Sequence, residues 1–424
     1  MQIRRPIVAL TSLAGAVLLA TTLAGCGSTP TKSAAGESSS QPSSSSTATS
    51  GGTTTANDAT PSTAPSPESV VLEPSVEDDA TGIAVDTIIS VKASQGTVSK
   101  VKLSTKAKDK DGDSKTVTVD GSISKDGLSW TADSALDPGS TYKLEMEGKN
   151  ATDQAPVTTK ATFKTESLTL DEQTYPTIQP AKGSKVGVGM PVVLTFDLPV
   201  KDKAEFQKHL TVTSTGNQQG TWSWFNSKTV HFRPKEYWKP GTKVKVEANL
   251  NGVKAGNGIY GQQSVSTDFT VGRSFITKVN LKTHQAKVYK NGDLVKTIPI
   301  TGGKAGWRTR SGTKLIMAKE YNKVMTNEAI GAKEDYRLTA KYALRITNSG
   351  EFLHSAPWSM GNLGVRNASH GCTGMSIANS GWLYERTLIG DPVITTGSNR
   401  GIEQGNGWSD WNDSYEEYSK GSAL

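Results

Sequence analysis

Two seven-residue stretches, Leu136-Asp137-Pro138-Gly139-Ser140-Thr141-Tyr142 and Trp238-Lys239-Pro240-Gly241-Thr242-Lys243-Val244, set the architecture of the first two thirds of this chain. Each places a bulky apolar residue before a Pro-Gly turn and then opens onto a strand-like run. Around the first lie short alternating runs at Ile88-Ile89-Ser90-Val91, Val98 to Leu103, Thr116 to Val119 and Tyr142 to Met146, separated by turns at Asp111-Gly112 and Asp126-Gly127. Around the second lie Pro191 to Phe196, Thr221-Trp222-Ser223-Trp224, Thr229 to Phe232 and Thr242 to Val246. Period-two alternation at this spacing predicts antiparallel sandwiches.

The echo between the stretches predicts two such units in tandem, immunoglobulin-like, over residues 67–167 and 168–272. Neither offers a site. His209 and His231 have no Cys, His or carboxylate at ligand spacing and read as surface or strand histidines. Trp222 and Trp224 read as core packing, and the two units as spacers.

Beyond Phe275 the texture changes. Ile276 to Val288 alternates, Asn291-Gly292 supplies a two-residue hairpin turn before Leu294 to Ile300, and strand-like stretches follow at Lys314 to Met317 and Ala343 to Ile346. Glu351-Phe352-Leu353 leads into His354, and one helix is expected over Ile377 to Leu388, with Ser376 as N-cap and Gly390 past its end. This third unit, 273–397, reads as β-rich with one notable helix. A tail over 398–424, carrying Trp408 and Trp411, is apolar enough to dock on a neighbouring domain. The fold class is therefore mainly β.

The other end of the chain speaks to compartment. Arg4 and Arg5 precede a short apolar stretch, Ile7 to Ala20, as in an export signal. Leu23-Ala24-Gly25-Cys26 resembles the bacterial lipobox, which implies a signal peptide over 1–25 and lipid on Cys26; the competing reading is an ordinary signal peptide with an incidental cysteine. Ser, Thr, Pro, Ala and Gly then dominate to about Ser66, so 26–66 reads as the lipidated cysteine and a disordered tether. Some forty residues span about 35 Å as a relaxed coil and ~130 Å pulled straight. The expected address is the outer face of the cell membrane, acting in the wall. The net charge of +7 over 424 residues comes from scattered bases without a Lys/Arg block. That excludes a nucleic-acid partner and suits an anionic cell envelope.

The chain has two cysteines, so a lipid on Cys26 leaves Cys372 without an intramolecular disulfide partner. Cys372 ends the run Ser369-His370-Gly371-Cys372, ahead of the expected helix. A thiol becomes a nucleophile when a positioned base takes its proton. A neighbouring glycine permits tight backbone geometry and leaves amide N–H groups free to face an oxyanion. Two bases offer themselves: His370, two residues away, and His354, 372 − 354 = 18 residues upstream. An imidazole two positions off in a tight turn points away from the thiol, which favours His354. Burial of Cys372 as inert core is the bland reading. Metal ligation by His354, His370 and Cys372 is another, but there is no fourth ligand and no Cys-x-x-Cys.

His354-Ser355-Ala356-Pro357-Trp358 followed by Ser369-His370-Gly371-Cys372 resembles the active-site signature of the L,D-transpeptidase (YkuD-like) catalytic domain. The layout of lipobox, tether, two immunoglobulin-like domains, catalytic domain and Trp-containing tail is similar to that of actinobacterial members. The resemblance implies Cys372 as the acylated nucleophile, His354 as its base and the Ser355 carbonyl as orienter of the imidazole. It implies the Gly371 and Cys372 N–H groups as an oxyanion hole, with His370 shaping the turn. Tyr336 and Met325 fall at the two ends of a substrate-covering flap, and Trp358, Ser369 and Gly374 fall at substrate-binding positions. Thr373-Gly374 departs from the usual bulky apolar residue and Asn. The flap is short, with Ile330 where an aromatic residue is usual. No cofactor and no metal are implied, the partners are peptidoglycan stem peptides as donor and acceptor, and a monomer is expected. The implied activity is cross-linking of third-position diamino acids through a thioester. L,D-carboxypeptidase activity, attachment of another protein to the wall, and a non-catalytic wall-binding lipoprotein stay open as alternatives.

Overall fold

The computed structural model describes residues 69–108, 112–150 and 156–424. The export signal, Cys26, the tether and Asp111 lie outside the described residues.

The first sandwich packs a four-stranded sheet, whose outer strands are Val71–Pro74 and Gly121–Ile123, against a five-stranded sheet centred on Thr141–Asn150. Trp130, Tyr142, Leu144, Met146 and Phe163 fill the space between. The second sandwich packs two four-stranded sheets around Phe206, Trp222, Trp224, Trp238 and Phe269, with a small three-stranded sheet at its margin. Trp222 and Trp224 are core residues, packed on Phe232 and Phe196 at 5.4 and 5.9 Å.

The paired turns behave alike in three dimensions. Leu136 and Trp238 are both buried, and Gly139 and Gly241 both take positive φ, 62° and 84°. Each glycine N–H donates across to the end of its domain's last long strand, to Glu166 O and Val271 O. The sandwiches are not purely antiparallel. In each, an early strand (Ala80–Ile83, Ser184–Val186) lies parallel to the last strand (Val157–Thr165, Val265–Val271) and covers that sheet's edge.

The third unit has a five-stranded sheet and a four-stranded sheet around one core, with the helix Ile377–Arg386 packed on the latter. The expected alternation over Ile276 to Val288 is broken into two strands, Phe275–Asn280 and Gln285–Lys290. The Asn280 side chain accepts from Lys282 N–H and Thr283 N–H, making a local turn that alternation alone does not reveal. Asn291 and Gly292 take φ of 52° and 99°, the mirror-image turn a two-residue hairpin requires. Ser376 caps the helix by accepting from Asn379 N–H. The helix ends at Arg386, two residues earlier than expected, because Thr387 is extended and its hydroxyl takes the Leu383 carbonyl. Two short helices, Lys203–Lys208 and Tyr415–Ser419, carry no strong sequence signal but are capped by Asp202 and Ser414.

The tail leaves the third unit and packs on the second sandwich. Trp408 joins that sandwich's core cluster, and Trp411 Nε1–H donates to Gly189 O at 2.7 Å. His231, read as a surface or strand residue, is a buried strand residue whose Nδ1–H donates to Asp410 of the tail at 2.9 Å. Among the described residues no helix is long and apolar enough to cross a membrane.

Candidate active site

The strand Phe352–Ser355 runs parallel to Thr373–Met375, with Leu353 opposite Thr373 and His354 opposite Gly374. This pairing is what brings the two sequence motifs together. Cys372 immediately precedes the second strand, and Cys372 and His354 line one cavity of about 690 Å³. The strands Ala318–Thr326 and Arg337–Arg345 form a hairpin whose tip, with Met325, Ile330 and Tyr336, makes the facing wall. Trp358, Ser369, His370 and Gly374 line the same space, and Ser355 and Gly371 do not.

His354 is buried, and its Nδ1 lies 2.8 Å from Ser355 O. A carbonyl only accepts, so Nδ1 carries the proton and Nε2 keeps its lone pair. Burial lowers the pKa of His354 below its ordinary value, with the Ser355 carbonyl opposing. The imidazole is therefore neutral at neutral pH, the form a general base needs. Trp358 stacks on it at 5.8 Å and covers one ring face.

The Cys372 thiol donates to Gly350 O at 3.6 Å rather than to the imidazole. Burial pushes its pKa up to about 12, against a downward pull from the Phe352 N–H. The two groups therefore rest as a neutral thiol and a neutral imidazole, with the sulfur turned toward Gly350.

The turn before Cys372 is held by Ser369. Its hydroxyl donates to Cys372 O at 2.6 Å and accepts the Gly371 N–H at 3.1 Å. The sequence suggested a free Gly371 amide; in this state it is engaged, because a serine side chain competes for nearby backbone groups. Gly371 has φ of 120°, a conformation that favours glycine whatever space surrounds it.

His370 faces the flap. Its Nε2 lies 2.6 Å from Glu334 Oε2, and its ring stacks on Tyr336 at 5.4 Å. Lys304 also reaches Glu334, at 2.7 Å, and with His370 draws that carboxyl down to about 2. The flap is therefore clasped to the turn at 369–372 through His370 and Tyr336, together with Glu334 and Lys304, which motif reading did not single out. Burial raises the Tyr336 phenol, and the neighbouring thiol adds to the effect. Gly374 exchanges two backbone hydrogen bonds with Thr301, and a Cβ there would sit 3.0 Å from Ala356 and Thr301 side-chain carbons. The site's missing Asn is matched by close packing of the backbone at this position.

Sequence reasoning also missed Arg310, Lys314 and Glu351, which form a buried charge cluster beside the turn. The available signal was a lysine at an inward position of the strand Gly312–Leu315, flanked by Leu315 and Ile316.

Comparison with known proteins agrees with this geometry. Residues 80–254 match the profile of a bacterial Ig domain, and residues 274–395 match that of an L,D-transpeptidase catalytic domain. The chain is 33% identical over 357 residues to L,D-transpeptidase 2 of Mycobacterium tuberculosis (strain CDC 1551 / Oshkosh), covering 83% of this chain and 85% of that protein. It is 31% identical over 361 residues to L,D-transpeptidase 5 of Mycobacterium tuberculosis (strain ATCC 25618 / H37Rv), covering 82% and 76%. A solved structure of an L,D-transpeptidase from Mycobacterium smegmatis is 31% identical over 52% of this chain and 97% of that one, with a TM-score of 0.44. With both segments matched and relatives spanning most of its length, the chain belongs to the L,D-transpeptidase family, acyltransferases of peptidoglycan cross-linking.

Proposed function

We propose that Cys372 is the nucleophile that carries the acyl group and that His354 is its base. The observation that carries this reading is the His354 Nδ1–Ser355 O bond, which leaves Nε2 as a free acceptor in the cavity that Cys372 lines. In the first half-reaction His354 Nε2 takes the thiol proton as sulfur bonds to the carbonyl carbon of the third-position diamino acid. The bond to the terminal D-Ala then breaks, and His354 returns the proton to the departing amine. In the second, a side-chain amine of another stem attacks the thioester and gives a proton to His354. The C–S bond breaks and the thiol is restored, leaving a link between third positions. The backbone N–H of Cys372 faces the developing oxyanion, joined by that of Gly371 once Ser369 releases it. Tyr336, Met325 and Trp358 frame the peptide. A carbapenem, as a strained acyl donor, acylates the same sulfur.

Lipid on Cys26 would hold the enzyme at the outer face of the membrane, with the tether giving it reach into the wall. Arg4, Arg5 and the Leu23-to-Cys26 run support this, and a fatty-acylated Cys26 peptide in the mass spectrum of the membrane fraction is its signature.

The test of the chemistry is incubation with disaccharide-tetrapeptide and mass spectrometry of the products. Dimers lacking one D-Ala are expected, and Cys372→Ala must abolish them. Tripeptide alone would indicate hydrolysis, and unchanged substrate would sink the assignment.

A further inference from the structure

Beside the catalytic turn lies a set of charges that the mechanism above does not use. Lys314 and Glu351 are almost wholly buried, with side chains 1% and 4% exposed, and Arg310 is 11% exposed. Glu351 Oε1 accepts from both Arg310 N–H and Arg310 Nη1, each at 3.0 Å, and Oε2 accepts from Lys314 Nζ at 2.8 Å. Lys314 also donates to Arg310 O at 2.6 Å, and Arg310 pairs through Nε with Glu403. Burying ions is costly, and such clusters rarely stabilise a fold more than apolar residues of the same volume would. A stability role alone therefore explains this one poorly.

Its position offers another explanation. Glu351 sits between Gly350, whose carbonyl accepts the Cys372 thiol, and Phe352, whose N–H faces the sulfur. A Cβ on Gly371 would lie 3.9 Å from Glu351 Oε1, so the carboxylate borders the turn directly. Arg310, Glu351 and Cys372 line the same cavity. We propose that this cluster positions and poises the nucleophile: the clamped Glu351 fixes the backbone segment that grips the sulfur, and the Lys314 ammonium supplies positive charge against the thiolate formed during attack. Burial pulls Lys314 below its ordinary pKa, and the Glu351 carboxylate, which accepts from its Nζ at 2.8 Å, opposes that pull and holds the proton on the amine. Burial dominates the raised pKa of Cys372, the Phe352 N–H opposes it, and after these Glu351 pushes the thiol up while Lys314 and Arg345 draw it down. Arg345 is paired with Glu320, and Lys323, Tyr336, His354, His370 and Arg400 are the other ionisable groups lining the cavity that Cys372 lines. The residues of the cluster are positioning residues, since none is placed on the substrate.

This inference rests on Cys372 as nucleophile, but its test does not. The rate of alkylation of Cys372 by iodoacetamide, followed on the Cys372 peptide by mass spectrometry in the full chain, reports the thiolate fraction directly. Lys314→Met should slow alkylation at pH 8 by about tenfold, the effect of one pKa unit, and Glu351→Gln should speed it by a similar factor. Lys314→Arg, which keeps the charge, should restore the wild-type rate. Opposite signs in the first two variants support the proposal; a purely structural role would move both rates the same way or neither, and either result overturns it. Should Lys314→Met fail to fold, Glu351→Gln decides alone, with an unchanged or slowed rate overturning the proposal. Retained cross-linking in Cys372→Ala would instead sink the functional assignment and leave this electrostatic reading standing.

Discussion

The two joints that flank the second sandwich are built on different principles. Toward the first sandwich, Asn251 Nδ2–H donates to Asp137 at 3.0 Å, Lys254 pairs with Asp86 at 2.6 Å, and Gly252 nests against Ala135. These are polar, partly solvated contacts, and the two sandwich cores stay separate. Toward the catalytic unit, Gly187 and Gly189 N–H groups donate to Ile389 O and Gly390 O, and a Cβ on Gly187 would run into Asp391. Ile389 packs against both cores. The tail adds the buried His231–Asp410 pair, with the Tyr418 hydroxyl 3.1 Å from Asp410, and Arg233 over the rings of Trp411 and Tyr418 at 4.7 and 4.5 Å. Two domains of similar fold are thus joined differently: the second shares core and tail contacts with the catalytic unit, while the first meets the second through polar, partly solvated contacts.

The contrast breaks most easily at Asp410. Asp410→Ala strands His231 and Tyr418 in a buried site, and losing one partner of a buried pair costs about 3–5 kcal/mol. Denaturant unfolding should then show the second sandwich melting before the catalytic unit; a single unchanged transition would refute the tail's role as a clasp. An intermediate effect is expected from pH. Burial raises Asp391, at the tight joint, to about 6 from its ordinary 3.8, outweighing its pairing with Arg273. Between those values the folded state holds a proton that the unfolded chain has released. This group's contribution to stability is therefore greatest near pH 4 and falls as pH rises through 6. Thermal midpoints across that window should decline on account of this group, and Asp391→Asn should flatten the decline. The smallest effect belongs to the loose joint. Lys254→Met removes a solvent-exposed pair whose attraction water largely screens, so the midpoint should barely move. A drop as large as that of Asp410→Ala would erase the distinction between the joints.

What was legible in the sequence follows from how far apart the interacting residues lie. Cys372 and Gly371 are chain neighbours, His354 adjoins Ser355, and the Pro-Gly turns repeat locally, so motif and period carry them. His231 and Asp410 are separated by 179 positions, and Lys314 and Glu351 by 37, so no local pattern links them. Glu334 was invisible for the same reason, although it sits two residues before Tyr336. The parallel edge strands escaped because alternation reports which face is buried but says nothing of strand direction.

The hydrogen bond from the Cys372 thiol to Gly350 bears on the enzyme's durability. Peroxides and disulfides react with thiolates, and a sulfur held protonated against a carbonyl presents little of that form. On the mechanism proposed above, the idle thiol stays in the form that oxidants attack least and turns reactive as it swings toward His354, so the same contact that delays attack also spares the sulfur from sulfenic and sulfinic acids.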